Sequence, residues 1–521
     1  MKIKKYIFLL FLFYSYIPLL AQVDTAWVRR YNGLGNGWDQ AFALAVDDSG
    51  NVYVTGYSGS GTSADYATIK YAPDGNTQWV RRYNGPGNSI DWAFALAVDD
   101  SGNVCVTGNS AGNGTSGDYA TIKYSPSGDT LWARRYNGTG NGFDGTVALA
   151  LDDSGNVYVI GESFGSGTER DYATIKYSSS GDTLWVRRYN GPVDDDDEAF
   201  ALAVDDSGKV YVTGYSFSGT SADYVTIKYT PNGDSLWVIR YNGPGNHNDI
   251  ARALAVDGSG NLYVTGLSVG SGTDYDYATI KYSPAGDTLW VRRYNGAGND
   301  FDGAVALALD NSGNIYVTGS SYGSGTSADY ATIKYAPNGD TVWVRRYHGG
   351  DYDEARALAV DDSGNVYVTG SSGFFPNYDY TTIKYAPNGD TLWVKRYNGP
   401  ANEIDNARAL AVDNGGNVYV TGESDSDTGS FFPSQYDYAT IKYVQFTCLA
   451  KPGDVTGDSK VLLPDIVAII NFLFKSAPAP NPLCRGDANG NGTVLLPDIV
   501  YLINFIFKSG PAPIKSRECC L

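Results

Sequence analysis

The chain has 521 residues, of which 38 are Lys or Arg, 57 are Asp or Glu and 2 are His. A formal net charge of −19 argues against a nucleic-acid-binding protein, which needs a basic surface, and two histidines disfavour histidine-based catalysis. The 63 glycines and 42 tyrosines favour many strands joined by tight turns.

Residues 1–21 have the pattern of a secretory signal peptide. A basic start precedes an apolar stretch over residues 7–20, and Ala21 offers a small residue for cleavage. The stretch is short and interrupted by Pro18, which disfavours a membrane span, although an uncleaved anchor is the alternative. We expect a secreted bacterial protein, extracellular or at the cell surface, with no membrane span in the mature chain.

Residues 22–447 contain one unit repeated eight times. Segments like ALAVDDSGN, VYVTG and DYATIKY follow one another in each unit, and a segment like WVRRYNG completes it. Successive copies of the last segment begin 50 to 53 residues apart, at Trp27, Trp79, Trp132, Trp185, Trp237, Trp290, Trp343 and Trp393. Four short antiparallel strands per repeat of this length predict the blades of a β-propeller.

The first complete unit shows where the strands of a blade are expected. The pattern predicts strands over residues 41–46, 52–55, 66–71 and 78–83. A longer Gly- and Ser-rich loop is expected over residues 56–64, between the second and third strands. The two other connections hold Asp-, Asn- and Pro-Gly turn signals, which favour tight hairpins.

The phase of the repeat predicts how the ring of blades closes. The chain begins with a fourth strand, residues 27–31, and its last unit ends on a third strand, residues 438–443. The outer strand missing from the eighth blade is therefore present at the other end of the chain, where it can pair and leave no open edge. We predict an all-β, eight-bladed propeller closed by an N-terminal strand.

The recurring ALAVDDSGNVYVTG, DYATIKY and WVRRYNG segments resemble the SBBP family of bacterial propeller repeats over residues 22–447. That family is usually described with seven blades, and the eighth unit departs from it. The resemblance implies a propeller and no particular chemistry, because a fold alone does not decide function.

Residues found in all eight units are expected to serve the blade. An Asp lies five residues before the Leu of every first strand, at Asp39, Asp91, Asp144, Asp197, Asp249, Asp302, Asp353 and Asp405. A cation-binding ring is one interpretation, but we favour turn caps or partners of the repeated arginine pair, because unpaired acids so close together would repel. The repeated tryptophans are similarly expected to pack between blades rather than to stack on sugars.

Residues that break the repeat are better candidates for a binding site. The candidates are aromatic residues of blades two, seven and eight: Trp92, Phe374, Phe375, Tyr378, Phe431 and Phe432. The strand directions place their loops on one face, and these blades lie close together once the ring closes. We predict an exposed aromatic arc that stacks on a polysaccharide or contacts a protein partner, the alternative being that these rings cover the C-terminal module or their own loops.

No catalytic constellation emerges from the sequence, and we predict a non-catalytic protein. His247 and His348 lie in blade-to-blade segments with no nucleophile nearby in sequence. The acidic stretch over residues 194–198 is expected to be a solvated loop, with Ca²⁺ binding as the alternative.

Residues 448–521 contain two similar loops 33 residues apart, each leading into an apolar helix. Oxygen atoms at loop positions 1, 3, 5 and 12, with a backbone carbonyl at position 7, can surround one hard cation. The last carboxylate of each loop begins a helix, where a negative charge is favoured. We therefore predict two Ca²⁺ sites in a small α-helical domain with paired calcium loops.

The paired loops and their terminal Asp residues resemble a type I dockerin. By position, the resemblance implies these ligands, Lys460 and Thr493 acting through their carbonyls: Asp454, Thr456, Asp458, Lys460, Asp465, Asp487, Asn489, Asn491, Thr493 and Asp498. In the first loop Thr456 stands where Asn or Asp is usual, and Ser459 replaces the turn Gly, so we expect weaker Ca²⁺ binding there.

The dockerin-like pattern implies a tether to a cohesin-like scaffold, often among polysaccharide-degrading proteins. Leu463–Pro464 and Leu496–Pro497 stand where dockerins present polar residues, which argues against a standard cohesin partner. The short link over residues 444–452 favours packing on the chain's own propeller as the alternative. Export permits disulfides in this region, with the pairing left open among Cys448, Cys484, Cys519 and Cys520.

The sequence thus predicts a secreted, non-catalytic binding protein. One alternative is a glycan-active enzyme delivered by the dockerin-like module, which should show convergent acids at positions that are not repeated. Another is a purely structural surface protein, which should show a featureless face.

Overall fold

The computed structural model describes residues 22–35, 37–60, 63–325, 327–426, 435–446, 453–456, 460–475, 477–480, 485–489, 493–508 and 510–513. The predicted signal peptide lies outside these residues. The chain divides into a large unit, Thr25–Val444, and a second unit to which Gln445–Leu521 belongs.

The large unit consists of eight four-stranded sheets, each one blade. The first strands are β2 (Asp39–Val46), β6 (Asp91–Val98), β10 (Asp144–Leu151), β14 (Asp197–Val204), β18 (Asp249–Val256), β22 (Asp302–Leu309), β26 (Tyr352–Val360) and β30 (Asp405–Val412). The second strands are β3 (Val52–Ser60), β7 (Val104–Ala111), β11 (Val157–Phe164), β15 (Val210–Phe217), β19 (Leu262–Val269), β23 (Ile315–Tyr322), β27 (Val366–Phe374) and β31 (Val418–Asp425). The third strands are β4 (Ser63–Tyr71), β8 (Gly117–Tyr124), β12 (Arg170–Tyr177), β16 (Ala222–Tyr229), β20 (Tyr275–Tyr282), β24 (Ala328–Tyr335), β28 (Asn377–Tyr385) and β32 (Tyr436–Phe446). The fourth strands are β5 (Thr77–Tyr83), β9 (Thr130–Tyr136), β13 (Thr183–Tyr189), β17 (Ser235–Tyr241), β21 (Thr288–Tyr294), β25 (Thr341–Tyr347), β29 (Thr391–Tyr397) and, for blade eight, β1 (Gln22–Tyr31).

The ring closes as the repeat phase predicted. The sheet of blade eight has the strand order β1-β32-β31-β30, so the N-terminal strand completes it. Blades eight and one are joined by the hydrogen bond that also joins blades one and two: the Tyr438 hydroxyl donates to the carbonyl of Ala67 at 3.1 Å, and the Tyr66 hydroxyl donates to that of Ala120 at 3.1 Å. The eight-bladed propeller is therefore confirmed.

The repeated tryptophans hold neighbouring blades together, as predicted. Trp79 is 8% exposed, and its ring contacts those of Tyr53 and Tyr124. Its Nε1 donates a hydrogen bond to the carbonyl of Pro126 in the next blade at 3.0 Å. Burial of a large ring with its N–H satisfied stabilises the contact between blades.

The predicted loop over residues 56–64 is largely strand, and the prediction was wrong there. The strand β3 continues to Ser60, and β4 begins at Ser63. Gly56 lies inside β3, and its position requires glycine because a Cβ atom there would come within 1.9 Å of the carbonyl oxygen of Gln40. This glycine therefore marks a close approach of two strands rather than the end of one.

The described part of the C-terminal unit contains two helices, α1 (Leu463–Lys475) and α2 (Leu496–Lys508). Their inner faces share one small core, with Ile466, Ile469, Ile499 and Leu502 at its centre. Both helices are present as predicted, but each begins two residues before the Asp at which the sequence predicted its start. Within the described residues, no helix has the length and apolar character that crossing a bilayer requires.

Candidate functional site

The strand directions give the propeller two different faces. We call the face that carries the second-to-third hairpins and the blade-to-blade connections the upper face. The start of β26 at Tyr352 pairs with Gly373, beside the hairpin of blade seven, which shows that first strands begin at this face. The lower face carries the first-to-second turns and the third-to-fourth hairpins.

The eight repeated aspartates form a buried ring at the start of the first strands, which we call the aspartate ring. Each of these residues is 0% or 1% exposed. In blade one, Asp39 Oδ2 accepts a hydrogen bond from the backbone N–H of Gly33 at 2.7 Å, and an equivalent bond occurs in the other seven blades. The aspartates therefore cap the connection that enters each first strand, and the turn-cap interpretation is confirmed.

Burial changes the proton affinity of these carboxyl groups. It raises the pKa of Asp39 and of Asp197 to about 6 and that of Asp405 to about 7, although the backbone N–H bonds and neighbouring serine hydroxyls act in the opposite direction.

The repeated arginine pair does not bind the aspartate ring but has other partners. Arg82 Nη2 contacts Asp65 Oδ2 at 3.0 Å, and Arg81 Nε donates to the carbonyl of Gly128 at 2.6 Å.

A second ring of eight residues lies three positions further along the first strands, and it is not uniform. In blade one Ala41 pairs with Gly56 and Ala43 pairs with Thr55, so Phe42 is the extra residue of a β-bulge. The same register shift occurs in every blade. We call the bulged residues the bulge ring: Phe42, Phe94, Val147, Phe200, Arg252, Val305, Arg356 and Arg408. Bulges turn a side chain out of the regular alternation, and contacts between adjacent members show that these side chains meet around the central channel.

Blades one and two give the bulge ring a continuous aromatic surface. The ring centroids of Phe42 and Phe94 are 5.2 Å apart, and Phe42 also contacts Tyr57 at 5.9 Å. Tyr57 stacks on Trp92 with centroids 5.4 Å apart and an interplanar angle of 28°. Trp92 remains 37% exposed and contacts Phe94 edge-on at 6.3 Å. Trp92 thus offers an exposed ring face, with Phe42 and Phe94 partly exposed beside it and the buried Tyr57 behind it, and a flat apolar ligand face can stack there.

Blades five, seven and eight supply arginines to the same ring. Arg408 makes hydrogen bonds to the buried Glu423 at 2.7 Å, 3.0 Å and 3.2 Å, and its guanidinium lies 5.5 Å from the Phe42 ring centroid. Arg356 Nη2 contacts Glu354 Oε2 at 2.6 Å. Arg252 Cζ lies 4.4 Å from the centroid of the Phe200 ring. The channel mouth is thus aromatic on one side and rich in arginine on the other.

Two carboxyl groups at non-repeated positions converge between blades three and four. Arg170 Nη1 lies 3.0 Å from Glu162 Oε2 and 2.7 Å from Glu198 Oε1. Burial, followed by the nearby Glu198 charge, raises the pKa of Glu162 to about 8. The expectation that residues 194–198 form a solvated loop was wrong for the end of the stretch, because Asp197 is fully buried and Glu198 pairs with Arg170.

The structure divides the predicted aromatic arc. Trp92 belongs to the channel mouth, whereas Phe374 and Phe375 lie at the hairpin tip of blade seven and are 58% and 59% exposed. Tyr378 contacts the ring of Phe375 at 6.4 Å and that of Tyr352 at 6.2 Å. Among the described residues no ring contact joins this group to Trp92. The two remaining candidates, Phe431 and Phe432, lie outside the described residues.

The large cavities of the lower face recur between blades and single out no site. One of about 510 Å³ is lined by the turn residues Asp99, Asp100, Asp152 and Asp153, among others. The turn acids already serve their own loops, as Asp152 Oδ1 accepts the backbone N–H groups of Ser154 and Asn156. These cavities are therefore the spaces between similar turns.

His348 lies against two aspartates in a shortened connection between blades six and seven. Its Nδ1 is 2.9 Å from Asp329 Oδ1 and 3.8 Å from Asp353 Oδ2. Asp329 also contacts Arg346 at 2.7 Å, and Asp353 accepts the backbone N–H groups of Gly349 and Gly350. Because both carboxylates already have hydrogen-bonding partners, the cluster is explained by a hydrogen-bonded histidine and needs no metal ion.

The described parts of the C-terminal loops bring predicted ligand positions together. Asp465 Oδ1 accepts hydrogen bonds from the backbone N–H and the hydroxyl of Thr456, at 2.9 Å and 3.0 Å. Asp498 Oδ1 likewise accepts the backbone N–H of Asn489 at 3.1 Å. Asp454, Asp465, Asp487 and Asp498 are at most 3% exposed, whereas Lys460 and Thr493 are exposed. Asp458 and Asn491 lie outside the described residues.

Sequence reasoning missed most of the bulge ring, although a signal was present. The third residue after each repeated Asp is Phe, Val or Arg, while the residues around it hardly change. Trp92 was singled out because the residue type at its position differs from repeat to repeat, and the residue type two positions later differs as well. The same test would have found Phe42 and Arg252.

A model of the SBBP beta-propeller repeat matches residues 26–61, 78–114, 342–375 and 392–428. The chain therefore carries SBBP propeller repeats, and the resemblance drawn from the repeated segments is confirmed for the propeller. The matched segments lie in blades one, two, seven and eight and in the strands that precede them.

Two known proteins are similar to parts of the chain. The regulatory protein FlaEY of Caulobacter vibrioides is 31% identical over 146 residues, which cover 24% of this chain and 15% of that protein. An uncharacterized WD repeat-containing protein of Acanthamoeba polyphaga mimivirus is 24% identical over 247 residues, which cover 41% of this chain and 15% of that protein. The similarity thus spans about 15% of the length of each relative.

Among solved structures, Sqt1 of Chaetomium thermophilum bound to the N-terminus of a ribosomal protein has a similar fold. The match covers 81% of this chain and 100% of that chain, with a TM-score of 0.52 and 10% sequence identity. At this identity the likeness concerns the propeller fold alone.

Proposed function

We propose that the protein is a secreted, non-catalytic binding protein whose propeller holds a carbohydrate at the channel mouth of the upper face. The observation that carries this proposal is the exposed ring of Trp92 beside the partly exposed Phe42 and Phe94, with the buried Tyr57 packed behind them. Flat aromatic faces bind the apolar faces of sugar rings, and Arg408, beside the Phe42 ring, can donate hydrogen bonds to hydroxyl groups. A purely structural protein has no need for a ring of such varied side chains.

The test is a binding measurement on variants of the full chain. A glycan array identifies the ligand, and calorimetry then measures the affinity of Trp92→Ala. We expect a loss of about tenfold or more, since stacking on one exposed ring contributes roughly 1–2 kcal/mol. Phe374→Ala/Phe375→Ala is the matched control at the hairpin tip of blade seven and should bind normally. Retained binding by Trp92→Ala, with loss in the control, would move the site to the hairpin.

A glycan-active enzyme is a second candidate, and the Glu162–Glu198 pair favours it. Glu162, a carboxyl group with a raised pKa, can act as a general acid at neutral pH, and Glu198 lies beside it. Arg170 lies on both groups, however, and also suits a purely structural role. Release of reducing sugar from a bound polysaccharide, lost in Glu162→Gln, would establish the enzyme; binding without turnover would exclude it for that ligand.

For the C-terminal unit we propose Ca²⁺-stabilised, dockerin-like tethering to a scaffold or surface. The buried Asp454, Asp465, Asp487 and Asp498 support this proposal, because four buried carboxylates in so small a unit fit a cation. The first site should be the weaker one, because Arg485 Nη1 lies 3.5 Å from Asp454 Oδ2.

The calcium proposal is tested by titrating the chelator-treated full chain with Ca²⁺. We expect two binding events of unequal affinity, and Asp498→Ala should remove the tighter one while Asp465→Ala removes the weaker one. Absence of any heat of binding, together with proteolysis of the C-terminal unit that EDTA leaves unchanged, would contradict the proposal.

A further inference from the structure

Arg252 differs from the other two arginines of the bulge ring in its lack of an ion pair. Arg356 and Arg408 each contact a glutamate at 2.6–2.7 Å. Within the part of the chain that the structure describes, no carboxylate oxygen lies within 4.0 Å of an Arg252 nitrogen, and this side chain makes no hydrogen bond. Among the described residues, its guanidinium contacts the Phe200 ring, whose centroid lies 4.4 Å from Cζ.

The surroundings of Arg252 leave its donors available. A guanidinium stacked on an aromatic ring uses its face, so the N–H groups that lie in its plane still point outward. Arg252 is exposed to water, although partial desolvation by neighbouring side chains lowers its pKa. Glu198 is the acidic group whose charge acts most strongly on Arg252, and it is already engaged by Arg170 at 2.7 Å.

Arg252 is exposed, and its N–H groups are therefore open to a ligand that carries the opposite charge. The chain as a whole carries a formal charge of −19, so long-range attraction does not draw anions to its surface. A site for an anionic group on this protein must therefore rest on a local donor. Arg252 is such a donor, in the same ring of residues as the aromatic surface formed around Phe42 and Phe94.

We propose that Arg252 is the subsite for a carboxylate of the bound carbohydrate, so that the channel mouth selects glycans containing uronic acids. The planar fork of the guanidinium matches the two oxygens of a carboxylate, while the aromatic side of the ring stacks on a neighbouring sugar. This inference rests on the proposed carbohydrate binding and adds the chemical class of the ligand.

The experiment compares three probes of equal length on the full chain by calorimetry: a uronic acid oligomer, a neutral oligomer and a sulfated neutral oligomer. We expect the wild-type protein to prefer the uronic acid oligomer. Arg252→Gln should weaken that oligomer about ten- to a hundredfold, as expected for a lost hydrogen bond to a charged group, and should leave the neutral one unchanged. Arg356→Gln, an arginine of the same ring that is already paired, is the matched control and should retain the preference.

The outcomes separate the two levels of the proposal. If Trp92→Ala abolishes binding but Arg252→Gln leaves the acidic preference intact, the aromatic site stands and the role of Arg252 is overturned. If the sulfated oligomer binds as well as the uronic acid oligomer, the subsite responds to charge alone and the carboxylate assignment is wrong. If none of the three oligomers binds, the proposal that the channel mouth binds carbohydrate is wrong. Arg252→Lys keeps the positive charge but loses the planar guanidinium, and it should recover only part of the affinity for the uronic acid oligomer. Equal melting temperatures of the variants and the wild type would exclude misfolding as the cause of weaker binding.

Discussion

The aspartate ring and the bulge ring have eight members each and lie three residues apart on the same strands, yet they differ in almost every property. The aspartate ring is identical in all blades, fully buried and bonded to a backbone N–H group. The bulge ring holds Phe, Val and Arg and faces the channel. The comparison shows that the residue type is constrained where a side chain must accept a backbone N–H hydrogen bond. Where a bulge turns the side chain out of the sheet, the residue type is free to vary and the side chain can contact a ligand.

The largest expected effect comes from filling the space that allows the bulge. In Gly319→Ala the added Cβ would lie 2.0 Å from the carbonyl oxygen of Gly303, so the two strands must separate. We expect a loss of about 3 kcal/mol or more in unfolding free energy, measured by urea titration. Gly258→Ala is the control, because nothing lies within 4 Å of its new Cβ. An unaffected Gly319→Ala would mean that the strands do not approach as described.

The next effect separates hydrogen bonding from charge in the aspartate ring. Asp405→Ala leaves the backbone N–H of Gly399 without its acceptor at 2.6 Å and should cost about 1–3 kcal/mol in urea titrations. Asp405→Asn keeps an oxygen acceptor and removes a charge that burial disfavours. At pH 8 the Asn variant should therefore be at least as stable as the wild type. Equal losses in both variants would show that the charge itself stabilises the ring.

The same groups predict the pH dependence of stability. The pKa values of Asp39 and Asp197 rise to about 6, that of Asp405 to about 7 and that of Glu162 to about 8 in the folded protein. Groups with a raised folded pKa contribute stability that is complete below their unfolded values near 4 and is lost as the pH rises through 6 to 8. Melting temperature should therefore fall from pH 5 to pH 8, and Glu162→Gln should flatten the decline. A flat wild-type profile would contradict the raised values.

The smallest effect on stability should come from the bulge ring. Phe94→Val places in blade two the residue that Val147 and Val305 already provide in blades three and six. We expect a change below about 1 kcal/mol in unfolding free energy, because the side chain is only partly buried, together with weaker carbohydrate binding. A loss comparable to that of Asp405→Ala would place Phe94 in the core rather than in a site.

Much of the fold could be predicted from the sequence because the same strand and turn patterns occur in all eight repeats. The strand order of a blade, the packing of Trp79 and the turn cap at Asp39 all follow from patterns within one or two units. The extent of β3 and β4 did not, because Gly56 and its neighbours carry the composition of a loop. Only the carbonyl of Gln40 opposite Gly56 shows why a strand needs glycine there.

The binding surface was predicted less completely. Trp92 was identified as an unusual residue, but its partners Tyr57 and Phe94 were not, since they occupy ordinary strand positions. The pairing of Glu162 with Glu198 through Arg170 joins three different strands and has no signature in local spacing. For these groups the sequence shows which residue types are present, but it does not show which side chains lie next to one another in the fold.

By itself, the sequence determined the number of blades, their strands and the way the ring closes, because periodicity and phase are properties of the chain that survive any arrangement in space. The tertiary structure alone decided which non-repeated side chains meet at the channel. Residues such as Phe42, Phe94 and Arg408 are far apart along the chain, and they come together only when the closed ring brings the first strands side by side and each bulge turns one side chain toward the axis.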